Sequence, residues 1–218
     1  MLVLRPEPGA SATVAKALGS GLDAVAIPLF EIEPMAWQAP EATGFDGLLL
    51  TSANAVRCAG DRVQGLRGLK TYAVGEATAE AARQAGFDIA ATGDAGVDRL
   101  LGSLDPDLKL LHLCGADRRV PRDAKQRITP IVVYRSILLN APDLSWAQGN
   151  AALIHSPRAG ERFAELVRER GSITIIATSP AAADAVGDGW EAVEIADQPS
   201  DDALLALAAR LCNNSPPK

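Results

Sequence analysis

Aromatic residues are scarce in this sequence, at 4%, and histidine occurs only twice. So few rings exclude the stacked platforms on which single-stranded nucleic acids are read. Cysteine occurs three times, at Cys58, Cys114 and Cys212, an odd number with no C-x-x-C pair. This argues against a disulfide framework and a zinc ribbon, and leads us to expect a reducing, cytoplasmic setting. No apolar run approaches the roughly 20 residues of a membrane span, and Arg5 and Pro6 break the apolar start too early for a signal peptide. A soluble, unsecreted protein is expected. Positive charge is short as well: 21 Lys and Arg against 27 Asp and Glu leave a net charge of −6. That disfavours a protein that coats DNA, RNA or an anionic membrane. Any anion it binds must be held locally. There is no G-x-S-x-G elbow, no G-x-x-x-x-G-K-[ST] phosphate loop and no H-E-x-x-H.

A hydrophobic fraction of 48% and a charged fraction of 22% belong to a folded chain, and 218 residues allow one large domain or two small ones. Short aliphatic runs alternate with Ala-rich stretches of helical period, which predicts α/β architecture with mostly parallel sheets flanked by helices. Strands are predicted at 2–5, 23–32, 46–51, 71–75, 88–91, 109–114, 128–135, 151–155, 173–178 and 192–196. Helices fit between them at 10–19, 53–63, 77–85, 96–103, 157–170, 180–187 and 200–211, most opening on Ser, Thr, Asp or Pro. The tail 213–218, with two prolines, reads as frayed.

The sequence echoes itself. Leu49 to Ala55 resembles Leu153 to Ala159, Gly75 to Ala81 lies over Ser179 to Ala185, and the pair Gly86 and Phe87 meets Gly189 and Trp190. Offsets of 104, 104 and 103 predict two similar lobes of about five strands each. Counting strands favours an inserted lobe at 36–130 and an outer lobe built from 1–33 plus 137–218. The chain would cross between them on linker strands at 29–36 and 129–137. Two such crossings make a hinge, and the cleft it spans is the expected ligand site.

In open α/β sheets, ligands bind beyond the carboxyl ends of the strands, where helix N-termini present free N–H groups. Small residues recur there: Thr51 and Ser52, Gly75 with Thr78, Ser156 before Pro157 and Arg158, and Thr178 with Ser179. They could be donors aimed at one ligand or ordinary helix caps. The string from Gly19 to Ala24 matches a dinucleotide fingerprint but ends a helix and is discounted. His112 and Cys114 share a strand face and read as a packed core pair. His155, at a strand end, reads as a buried imidazole or a proton donor. Residues 117–127 carry a local excess of positive charge, read as a solvated helix face or an anion-attracting mouth. Arg5 bounds a buried strand and needs a partner or a ligand. Tyr134 lies on the return crossing, where its phenol could enter the cleft or pack the hinge.

Four stretches then carry a family resemblance: Leu50 to Val56, Ala73 to Ala79 followed by Gly86, Val132 to Tyr134, and Val3 to Pro6. In order, over nearly the whole chain, they resemble uroporphyrinogen-III synthase. The resemblance implies a bilobed, inserted-domain fold and a lyase of tetrapyrrole and heme synthesis. Its substrate would be hydroxymethylbilane, a linear tetrapyrrole with eight carboxylates, closed and dehydrated to uroporphyrinogen III with inversion of ring D. It implies no metal or organic cofactor, and a monomer is expected. Carried over by position, Tyr134 is the candidate general acid toward the leaving hydroxyl. Thr51, Ser52, Asn54, Gly75, Thr78, Ser156, Arg158 and Ser179 would bind acetate or propionate arms, and Arg5 would pair with one. The sequence departs from the family where Ser179 and Ala182 stand in place of the usual Gly and Thr. The competing expectation is a hinged two-lobe binding protein or sensor that closes on a small anion without chemistry. Nucleic-acid binding through 118–127 is discouraged by the overall charge.

Overall fold

The computed structural model describes residues 1–94, 96–118 and 120–214. The strands are β1 (Leu2–Val3), β2 (Val25–Ala26), β3 (Phe30–Pro34), β4 (Gly47–Leu50), β5 (Lys70–Val74), β6 (Ile89–Gly93), β7 (Lys109–Gly115), β8 (Arg127–Leu138), β9 (Ala151–Ile154), β10 (Thr174–Ala177) and β11 (Ala192–Ile195). The α-helices are α1 (Gly9–Gly19), α2 (Ala53–Ala59), α3 (Glu76–Gln84), α4 (Val97–Gly102), α5 (Pro157–Leu166), α6 (Pro180–Asp184) and α7 (Asp201–Asn214). The chain divides into two compact units, one of Met1–Glu31 with the chain from Leu138 onward, the other of Ile32–Ile137.

In the first unit five parallel strands run in the order β11-β10-β9-β1-β2. Alternating side chains divide between its faces. Leu2, Leu4, Ala152, Ile154, Ile175 and Ala177 pack toward Phe163 of α5 and Ala182 and Ala183 of α6. Val3, Leu153 and Ile176 pack toward Ala10 and Ala17 of α1 and Leu204, Leu205 and Ala208 of α7. Strand runs this evenly apolar form where both faces of a parallel sheet are covered.

The second unit holds β3-β8-β7-β4-β5-β6, in which β8, β7, β4, β5 and β6 are parallel and β3 forms the edge. Leu48, Leu50, Leu111, Leu113 and Val133 cover one face with α2 and part of α3. Leu49, Tyr72 and Leu110 cover the other with α4. In each unit the strand order reverses once, between β1 and β9 in the first and between β4 and β7 in the second. Such reversals are where doubly wound sheets open a crevice at their carboxyl ends.

The internal echo is a repeat of elements. β4 and β9 start at 47 and 151, α2 and α5 at 53 and 157, β5 and β10 at 70 and 174, and α3 and α6 at 76 and 180, each pair 104 apart. Gly86 and Gly189 both take positive φ, +87° and +94°, which glycine adopts at no steric cost. The ring that follows each glycine, Phe87 or Trp190, packs against its own unit's core.

Several elements differ from expectation, and α5 and α6 end at Leu166 and Asp184, short of 170 and 187. The strand expected at 23–32 is two strands, because Pro28 between them has no N–H to give a ladder. The helix expected at 53–63 leaves α geometry at Gly60 and continues as a 3-10 helix over Gly60–Leu66. The described residues of 117–126 form turns and loop, and Arg127 opens β8, so they present no helix face. Of the tail, Asn213 and Asn214 close α7, and 215–218 lie outside the described residues.

Candidate functional site

The carboxyl end of the second unit's sheet is built around the β4–β7 reversal. β4 ends at Leu50, and Thr51 and Ser52 make the turn into α2. Because successive residues of a strand face opposite ways, these two hydroxyls leave on different faces. Thr51 goes with Leu49, and its Oγ1 lies 3.0 Å from Nε2 of His112. Burial drives the His112 pKa down to about 4, with the Arg118 charge adding to it, so the imidazole is neutral at physiological pH. Ser52 caps α2, accepting a hydrogen bond from Asn54 N–H at 3.2 Å.

Tyr134 reaches the same turn from β8. Its ring lies over Gly115, the last residue of β7, so closely that a Cβ there would stand 2.6 Å from the ring's Cζ. Burial pushes the phenol pKa up; hydrogen bonding from Ser52 works the other way, and Cys114, Cys58 and Asp117 add to the rise. The phenol is therefore protonated across the neutral range. Tyr134 and Ser52 are thus brought together, and Thr51 is separated from them onto the His112 side.

Gly75, just after β5, and Thr78, in the helix's first turn, prepare α3. Gly75 precedes the helix at φ +83°, and its carbonyl accepts from Thr78 and Ala79 N–H groups at 3.1 Å. Thr78 is buried inside the first turn. Asn54 turns its Oδ1 to Arg57, 3.4 Å away.

In the first unit the β1–β9 reversal gathers charge instead. Arg5 follows β1 and His155 follows β9, and both meet Asp201 at the start of α7. Arg5 Nη1 donates to Oδ1 and Oδ2 of Asp201 at 2.8 and 2.9 Å, Thr13 Oγ1 donates to Oδ2 at 2.8 Å, and His155 Nε2 lies 3.1 Å from Oδ1. Burial alone would raise the Asp201 pKa. The hydrogen bond from His155, the Arg5 charge and the Thr13 hydroxyl more than reverse that and hold the carboxyl well below the usual range. Arg5 has therefore found its partner within the unit. A single nitrogen, Nη1, makes these contacts. Ser156 and Ser179 cap α5 and α6, accepting from Ala159 and Ala182 N–H groups at 3.2 and 3.3 Å. Arg158 stands 4.7 Å over the Phe30 ring.

Ser52, Ser156 and Ser179 all cap helices, which uses one lone pair of each and leaves the O–H of Ser156 and Ser179 and the remaining helix N–H groups as donors. No group of three or more His, Cys, Asp or Glu among the described residues is placed to hold a metal ion, and all three cysteines are unpaired. No described helix is long and apolar enough to cross a membrane. A hollow of about 510 Å³ beside Met1, Asn150, Thr174 and Glu191 lies at the amino ends of the first unit's strands, away from this chemistry. Sequence reasoning missed Asp201 and Gly115. The signal for Asp201 was an acidic residue opening a helix in a chain that had left Arg5 unpaired; a glycine that accommodates a ring leaves no pattern.

Two doubly wound sheets, each with hydroxyls, caps and a few polar side chains at the carboxyl end of its reversal, define a two-unit α/β protein. The chain belongs to the uroporphyrinogen-III synthase HemD family, whose model matches residues 11–206. A uroporphyrinogen-III synthase from Chlorobaculum parvum is 33% identical over 98 residues, 41% of this chain and 40% of that relative's length. A crystal structure of uroporphyrinogen-III synthetase from Helicobacter pylori aligns with a TM-score of 0.63 at 18% identity, covering 96% of this chain and 98% of that one. A mutant synthase from Thermus thermophilus aligns at 0.53 and 18% identity, covering 98% and 99%. At these identities the structures show the shared fold.

Proposed function

We propose that this chain is a working uroporphyrinogen-III synthase, a lyase that closes hydroxymethylbilane to uroporphyrinogen III with loss of water and inversion of ring D. The observation that carries the reading, in a chain of this family, is the Tyr134 phenol held protonated beside Ser52 at a strand-order reversal.

A substrate with eight carboxylates needs many modest donors in fixed places. The N–H groups opening α2, α3 and α5, with Ser156, supply donors of that kind without making the chain basic. Each contact contributes about 0.5–1.5 kcal/mol, and roughly 3 when charged, so several together select one conformer of a flexible chain. Arg5 can offer an arm only the part of its guanidinium not spent on Asp201 and Thr13. Tyr134 passes its Oη proton to the leaving hydroxyl, which departs as water. Ser52 stabilises the phenolate for the moment it exists, and the proton shed when the macrocycle closes restores the phenol. Neutral His112 is poorly placed to compete for that proton, because its Nε2 is occupied by Thr51 on the other face of the sheet.

Mixed with hydroxymethylbilane, the protein should give closed macrocycle faster than the spontaneous reaction. Recovery of an unaltered ligand in a stable stoichiometric complex would mark a hinged binding protein instead.

A further inference from the structure

Gly115 is buried at the end of β7, and its backbone lies outside the left-handed region, so its φ does not require glycine. What requires glycine is the Tyr134 ring. A Cβ at 115 would stand 2.6 Å from Cζ and 2.9 Å from both Cε2 and Oη, so the hydroxyl end of the ring rests on the glycine itself. The strand pairing is irregular at the same place. Cys114 is opposite Val132 while Gly115 is opposite Tyr134, which puts one extra residue into β8. Bulges of this kind re-aim a side chain. Beyond the irregularity the ladder resumes, with Ala116 N–H donating to the Tyr134 carbonyl at 2.9 Å. The Tyr134 backbone is therefore held in the ladder, and a methyl group at 115 would have to displace the ring and its hydroxyl.

We propose that Gly115 is a positioning residue for Tyr134: its missing side chain, together with the irregularity in β8, fixes where the phenol hydroxyl stands and so governs ring closure rather than the holding of carboxylate arms. The proposal rests on the reading of Tyr134 as proton donor. Gly47 provides a matched control. A Cβ there would meet Tyr72 Cε2 at 2.7 Å and the Lys70 carbonyl at 2.9 Å, a collision at least as severe beside the core formed with α4.

The test compares Gly115→Ala, Gly47→Ala and Tyr134→Phe by steady-state kinetics on hydroxymethylbilane. A second, activity-free readout is the near-ultraviolet titration of the phenol in a Tyr72→Phe background, which leaves Tyr134 as the only tyrosine. Gly115→Ala should lower kcat by about tenfold or more with KM within about twofold, and should move the Tyr134 titration. Gly47→Ala should lose stability and keep kcat. Wild-type kcat in Gly115→Ala beside an impaired Tyr134→Phe overturns the positioning role and leaves the proposed function standing, as does a change confined to KM. An unimpaired Tyr134→Phe overturns the donor reading and this proposal with it. If Gly115→Ala does not fold, adding Tyr134→Leu should restore folding by removing the ring; failure to do so overturns the proposal.

Discussion

His112 is 2% exposed and neutral, with its pKa held near 4 against an ordinary 6.5. The unfolded chain binds that proton from about pH 6.5 downward and the folded chain does not, so its contribution is whole above pH 6.5 and drains away as pH falls toward 4. The loss is roughly 3 kcal/mol over that window, and denaturant titrations of the wild type and His112→Gln at several pH values should show the variant's profile flattened there. Asp201 acts lower on the scale. Its carboxyl is depressed in the fold, so its stabilisation is present above the ordinary 3.8 and fails only in stronger acid. At neutral pH Asp201→Asn strands Arg5 and His155 and should cost about 2 kcal/mol, read from the denaturation midpoint. Tyr134→Phe should slow turnover by about a hundredfold with little change in stability. Tyr134 could be proposed from the sequence because a family motif carries it. Gly115 and Asp201 could not, since each matters only through a residue far away in sequence.

Caps make the elements predictable. Ser52, Ser156 and Ser179 each stand at the N-cap of the helix they were expected to open, and each accepts a backbone N–H. Ser156→Ala should lose about 1 kcal/mol of stability, with a fall in bilane affinity if that turn also grips an arm. The two effects separate in a thermal melt and a KM measurement. Strands were legible from their apolar runs, because a parallel sheet covered on both faces leaves a continuous signature, as in Leu48, Leu49 and Leu50. The errors fall where one residue overrides a period. Pro28 divides a strand, Gly60 ends α geometry early, and the basic run before β8 lacks the apolar stripe a packed helix needs. The division of Thr51 from Ser52 was hidden for a related reason. Turn residues read as one motif, and only the pleat of β4 sends them to opposite faces.

At the scale of the whole molecule, the proposed polyanionic substrate and a net charge of −6 would be reconciled if the attraction were placed in helix N-termini and a few paired cations. The repeat at 104 residues gives both units such turns, but not the same ones. Where the second unit has Thr51 beside His112, the first has His155 beside Asp201; where the second has Thr78, the first has the fully buried Ala182. The duplicated plan was legible in the sequence as an offset. The divergence in its chemistry was legible only as single letters, whose meaning depends on which strand lies next door.

The measurement that bears most directly on this account is the identity of the isomer formed when the purified protein meets freshly prepared hydroxymethylbilane. Spontaneous closure gives the uninverted type I ring, so proximity alone cannot mimic the expected product. The type III isomer should form in excess over a protein-free control. Type I alone, at the control's rate, would contradict the proposed function.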